Sequence, residues 1–245
     1  SYDNLFQRGQ SLSVSYQTAP QRTQDAQVLF LSYLVPFGRS RYSLVLNGIK
    51  SDSDVATVGG LSVLGRGETL GARLMITLPG TDDFFPSAAI GFDYKHFRSA
   101  IATSSAAVTT PITYVPFVAG FNFVATSSGG VTQRNTLFSV ASPQIGSENL
   151  DFNDSRFAAR GQQLSFKQSV SRTQTLPHRL LLDLRMSSQI TDQPLISNEQ
   201  FSTGGADSVR GYLESEALGD YGFNGSAELR WAPVAPLRLS ACSSC

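Results

Sequence analysis

The chain has 245 residues, with 19 lysines plus arginines against 19 aspartates plus glutamates, so its formal net charge is zero. Only 16% of residues are charged and 41% are hydrophobic. That balance excludes a global basic field for nucleic acid. No run approaches 18 uncharged apolar residues, which excludes a membrane-spanning helix.

Taken in chain order, about ten segments read as strands: 10–18, 26–36, 41–50, 69–78, 87–97, 112–125, 133–142, 162–175, 179–190 and 222–232. No helix of note is predicted. In the first, Leu12, Val14 and Tyr16 oppose Ser11, Ser13 and Ser15. In the fourth, Leu70, Ala72 and Leu74 oppose Gly71, Arg73 and Thr77, and in the fifth Ile90, Phe92 and Tyr94 oppose Asp93 and Lys95. Later, Leu164 and Phe166 oppose Ser165 and Lys167. Leu182 and Leu184 oppose Asp183 and Arg185, and Leu229 and Trp231 oppose Glu228 and Arg230. A strand side chain changes face at every residue, so each segment has one apolar and one polar face.

A soluble sandwich alternates in the same way, but three features favour a membrane barrel. The runs are roughly 9–12 residues, long enough to cross a bilayer at a tilt, where ordinary strands run about 5–6. Compact links near Gly38, 79–85, 127–131 and Pro177 alternate with long polar ones at 51–66, 98–111, 143–160 and 190–222, as periplasmic turns alternate with outer loops. The polar face carries both signs (Arg73, Asp93, Lys95, Lys167, Asp183, Arg185, Glu228 and Arg230), which suits a hydrated lumen, whereas lipid tolerates no ions. Phe30, Tyr33, Phe37, Phe84, Phe85, Phe121, Phe123 and Trp231 are placed as interfacial girdle aromatics. The expected fold is an all-β, antiparallel transmembrane barrel of the outer-membrane type, occupying residues 1–232 and followed by a tail at 233–245.

Chemistry-bearing motifs are scarce, and no catalytic residue, metal or cofactor is assigned. His96 and His178 have no Glu or Cys at metal-ligand spacing. Cys242 and Cys245 match a C-x-x-C spacing without the βαβ context that a redox dithiol needs, and read as part of a foreign tail. The glycines at 59–60, 65 and 67 lack a following Lys-Ser/Thr and helix, so they do not read as a phosphate loop.

One long loop stands apart. Phe201, Gly204 and Gly205 precede Val209-Arg210-Gly211-Tyr212, followed by Gly219-Asp220, Gly222 and Glu228-Leu229. These residues, with the strand after Gln10, the Val35-Pro36-Phe37-Gly38 turn and the 90–97 strand, resemble the two-partner-secretion transporters. Those are the haemolysin secretion/activation proteins of the outer-membrane protein-assembly superfamily. The resemblance runs from about Leu5 to Trp231 and is most specific at Arg210. It implies a Gram-negative outer-membrane pore that exports a large secreted partner protein, an adhesin or cytolysin, with the Arg210 loop folded into the lumen. Membrane lipid is the other implied partner, and nucleic acid is not.

The family's barrels have sixteen strands behind periplasmic polypeptide-binding domains. The ten segments are therefore expected to be its third to twelfth strands, and the one whose acid would pair with the loop arginine is among those absent. The family's terminal aromatic signal is not expected within this chain either, so an unclosed arc of a barrel is expected. Rival readings are an insertase of the same superfamily, a substrate-specific porin or barrel enzyme such as a lipase or protease, and a soluble all-β binding module.

Overall fold

The computed structural model describes residues 2–5, 7–18, 26–58, 61–102, 107–142, 146–205, 208–209, 211–213 and 215–231. The chain builds one long antiparallel meander. Its strands are β1 (Tyr2–Leu5), β2 (Gln10–Thr18), β3 (Ala26–Pro36), β4 (Tyr42–Val58), β5 (Leu61–Thr77), β6 (Phe84–Ala102), β7 (Ala107–Tyr114), β8 (Phe117–Ser127) and β9 (Gly130–Ala141). They continue as β10 (Gln163–Leu176), β11 (Leu180–Thr191), β12 (Phe201–Thr203), β13 (Ala217–Gly219) and β14 (Gly222–Trp231). Each pairs with its chain neighbour in the order β1-β2-β3-β4-β5-β6-β8-β9-β10-β11-β14, with β7 also on β6 and the β12–β13 hairpin apart. The sheet has twelve strands, and its path begins at β1 and ends at β14 without closing.

The ten expected strands are all present, and the additions have physical causes. The expected loop at 51–66 is mostly an extension of β4 and β5, paired in register from Ser51↔Gly67 to Val58↔Leu61 with one shift. Likewise the expected loop at 98–111 is β6 prolonged and paired with β7. A hairpin satisfies its own backbone donors and acceptors, so its polar sequence can stay in strand form in water. The expected strand at 112–125 breaks at Pro116, which has no N–H to give the ladder. The carbonyl of Pro116 still accepts from the Asp93 N–H at 3.0 Å, so β7 and β8 both follow β6. One helix was not expected: α1 (Asn149–Ser155), whose Phe152 is buried. The compact links hold as expected, and the tail at 233–245, with both cysteines, lies outside the described residues.

Register assigns every described strand residue to one of two faces. On one lie Tyr16, Leu31, Leu46, Leu70, Phe92, Phe117, Phe138 and Leu229, all well exposed. On the other lie buried Ser51, Asp93, Gln163, Ser165, Asp183, Gln189 and Thr191. Apolar side chains outside and polar ones inside invert the soluble pattern and match a wall between lipid and water. At the loop end of the apolar face the charges return as Lys50–Glu68 (2.9 Å) and Arg66–Asp52 (3.1 Å), which bound the apolar band there.

The expected aromatic girdle is only partly present. Phe84 and Phe123 pack at 5.3 Å on the apolar face, and Trp231 is 73% exposed on it. Phe30 belongs instead to the polar face, where it packs on Val28 and Ile49. Phe85 also lies there, two residues from Ser87 and opposite Val124.

Candidate functional site

The eight charges expected on the polar wall all lie on one face. Arg73 donates from Nη2 to both carboxylate oxygens of Asp93, at 2.8 and 3.2 Å, across β5 and β6. Asp183 takes Arg185 at 3.1 Å and Arg230 at 3.6 Å, and Arg230 also reaches Glu228 at 2.8 Å. Lys95 and Lys167 meet on a residue that sequence reading missed, Glu199, with Lys167 at 3.4 Å. Neighbouring opposite charges neutralise one another, so the charged part of the wall is nowhere strongly of one sign.

Glu199 belongs to the long connection between β11 and β14. Its carboxylate also accepts from the Tyr114 hydroxyl at 2.7 Å, and its backbone carbonyl accepts from Gln189 Nε2 at 3.0 Å. Burial works to raise its pKa. The two ammonium groups, and the hydrogen bonds from Lys95 and Tyr114, outweigh that and hold it at about 2. A buried carboxylate is tolerable only with this degree of pairing. The sequence signal was the adjacent Leu195-Ile196, 1% and 0% exposed, an apolar pair out of place in a solvated loop.

A second clasp lies beside it. Arg156, just after α1, donates to both oxygens of Asp220 at 2.6 and 3.0 Å, and Asp220 also accepts from the Leu195 N–H at 3.0 Å. Burial opposes ionisation of Asp220, yet the Arg156 hydrogen bond and the Leu195 N–H keep its pKa below the usual value. Between the clasps, Phe97, Ile112, Tyr114, Ala141, Phe152, Ala159 and Ile196 form the main apolar core. The two long connections are thus packed against the loop end of the polar face and against each other.

The expected loop motif lies beyond these clasps. Phe201, half-buried on β12, covers Gly222 so closely that a Cβ there would stand 1.9 Å from its ring. Gly204 exchanges two hydrogen bonds with Ser208, donating from N–H at 2.8 Å and accepting from Oγ at 2.7 Å, while Gly205 is buried. Tyr212 donates its N–H to the Val209 carbonyl at 3.4 Å, closing a turn in which Gly211 has φ +94°, a value that L side chains rarely adopt. Val209 and Tyr212 are exposed, and Arg210 lies outside the described residues. Asn224 of β14 donates to Thr203 Oγ1 at 3.1 Å, which ties the loop root to the same face.

Beneath the loop, Ser87, Asn122, Asn135, Ser169, Ser187 and Asn224 are register partners across six strands. They form one uncharged polar row lining a cavity of about 650 Å³, which Ser208 of the loop also lines. His96 contacts Thr113 Oγ1 at 2.8 Å, and His178 sits in a turn at φ 62°. Among the described residues, no group of three His, Cys, Asp or Glu side chains is placed to hold a metal ion.

An antiparallel meander with one polar face, one apolar face and a docked long loop defines the wall of an outer-membrane β-barrel. The chain belongs to the family described as haemolysin secretion/activation protein ShlB/FhaC/HecB, whose model matches residues 1–243. That is a non-enzymatic family of the Gram-negative outer membrane. Among solved structures, the fold is similar to CdiB from Escherichia coli, with a TM-score of 0.70 at 19% identity. It is also similar to CdiB from Acinetobacter baumannii, with a TM-score of 0.64 at 18% identity. Each match covers 96% of this chain but only 44% and 42% of those chains, so the sequence spans less than half their length. No curated protein sequence matches it significantly.

Proposed function

We propose that the polar face lines the lumen of an outer-membrane pore that exports a partner protein, a large adhesin or cytolysin, in unfolded form. The observation that carries this reading is the loop at residues 192–221, pinned to the polar face by Glu199, Lys95 and Lys167. A loop held on the polar side of a membrane wall obstructs whatever passes there, so passage requires it to shift. The wall offers neutralised charge pairs and small uncharged polar groups. These give an extended polypeptide weak, exchangeable contacts rather than a tight site, and no bond is made or broken. The compact turns face the periplasm and the long connections face out.

The experiment is Arg210→Ala in a transporter carrying this chain, expressed with its cargo. Secreted cargo in the medium is expected to fall severalfold while the amount of folded barrel in the membrane is unchanged. Undiminished secretion removes Arg210 from the mechanism.

A further inference from the structure

Among the described residues, the apolar face is interrupted by charge away from its loop end at one place. Thr132 and Arg134 of β9, with Gln168, Arg172 and Gln174 of β10, lie on the side that elsewhere is apolar. The next strand, β11, presents Leu182, Leu184 and Met186 on that side. Arg134 donates to Thr136 Oγ1 at 3.2 Å and Gln168 Oε1 at 3.4 Å, and Arg172 donates to Thr132 Oγ1 at 3.1 Å and to Gln174 Oε1. All four acceptors are neutral. A guanidinium has five N–H donors, and each arginine places two of them. Among the described residues neither arginine has a carboxylate partner.

Hydrocarbon cannot solvate such a cation, so its charge must be met by something at membrane depth. The depth is set by neighbours. Arg134 stands opposite Phe123, which packs on Phe84 near the turn, and Arg172 lies close to the turn end of β10 at Leu176. Aromatics at the turn end of an apolar face mark the headgroup level, and long cationic side chains reach for that level. A second copy of the chain fits poorly. The acids described on this face, Asp52 and Glu68, sit at the opposite, loop end and are already paired with Arg66 and Lys50.

We propose that Arg134 and Arg172 bind the phosphate of an anionic glycerophospholipid in the leaflet on the turn side, with its acyl chains against Leu182, Leu184 and Phe123. A phosphodiester supplies a full negative charge and paired oxygens that match the planar guanidinium fork. The inference rests on the apolar face being the lipid face, and not on export.

The test is native mass spectrometry of the barrel carrying this chain in neutral detergent, titrated with phosphatidylglycerol, phosphatidylcholine or inorganic phosphate. Phosphatidylglycerol adducts are expected to form at roughly tenfold lower concentration than phosphatidylcholine adducts, since each tenfold needs only one modest charge-assisted contact. Inorganic phosphate is expected not to displace them. Arg134→Gln with Arg172→Gln should erase the preference, and Arg134→Lys with Arg172→Lys should keep most of it. Equal affinity for the two lipids in the unaltered barrel overturns the proposal, with no variant needed. So does a preference that survives the glutamine pair, or a dimer that the glutamine pair dissociates. A spin label at Leu184→Cys, read for oxygen against aqueous nickel accessibility, tests the lipid face by itself. A label in lipid without phosphatidylglycerol preference sinks the site and leaves the wall intact.

Discussion

Glu199 is where a single side chain decides the state of a whole loop. Its pKa lies near 2 in the docked loop, against 4.5 for an unperturbed glutamate. The depressed value means that the released loop binds the proton first. Docking is therefore fully supported above about pH 4.5 and loses support as pH falls toward 2. The shift corresponds to something on the order of 3 kcal/mol of docking free energy at neutral pH. Proteolysis or amide exchange of residues 192–221 should accordingly be slow and flat above pH 5 and accelerate through the window from 4.5 to 2. Glu199→Gln, measured at pH 7, should expose the loop to a similar degree and remove that acid dependence. An acid dependence that persists in the glutamine variant would assign the titration to another group, with Asp220 the next candidate. The Leu195-Ile196 pair hints that this part of the loop is buried, but the partners of Glu199 were not legible in the sequence. Glu199 lies 104 residues from Lys95 and 32 from Lys167, and only the fold brings the three together. By contrast Arg73 and Asp93 could be placed on one face from alternation alone, and the structure adds only that they touch.

At the scale of a strand, parity carries nearly all the information, and β3 shows how sharply. Leu31 is 43% exposed on the apolar face, while Ser32 next to it pairs with Ser13 and Asn47 on the polar face. An arginine at the first position must enter hydrocarbon near mid-strand, and one at the second enters a hydrated wall. Leu31→Arg should destabilise the membrane-folded barrel by about 2–4 kcal/mol, and Ser32→Arg by about 1 kcal/mol or less. Urea titration of barrels folded into vesicles would measure both, and equal costs would mean that the faces are misassigned. The same rule reads most of the fold from sequence and then fails at identifiable places. It missed the continuation of β4 and β5 through residues 51–58 and 61–68 because Ser, Asp, Thr and Gly among them look like loop residues. Above the apolar band, strand form is held by hairpin pairing, which leaves no alternation to read. Phe30 was misplaced because residues 28–34 barely alternate, and Phe85 because an aromatic near a strand end fits either face until register is known.

At the scale of the molecule, the open path is the dominant fact. On interior strands the exposure of this face varies, from 38% at Leu184 on β11 and 40% at Phe138 on β9 to 58% at Leu70 on β5. On β14, at the end of the path, Phe223, Leu229 and Trp231 are 69%, 61% and 73% exposed on the same face. These side chains lack a flanking strand, and the outer edge of β14 offers its backbone groups to none of the described residues. An unpaired edge costs several kcal/mol for each polar group placed in hydrocarbon, so no membrane wall can stay open there. The matched solved chains are more than twice as long, which leaves room for strands that would complete the circumference. The 245-residue chain by itself should therefore fail to give a steady single-channel conductance in a planar bilayer and should show no heat-dependent mobility shift on a denaturing gel. Joined to strands that pair with β1 and β14, the same residues should do both. A steady conductance step from the chain alone would require β1 and β14 to meet. That would make a smaller, complete barrel in which the docked loop occupies most of the lumen.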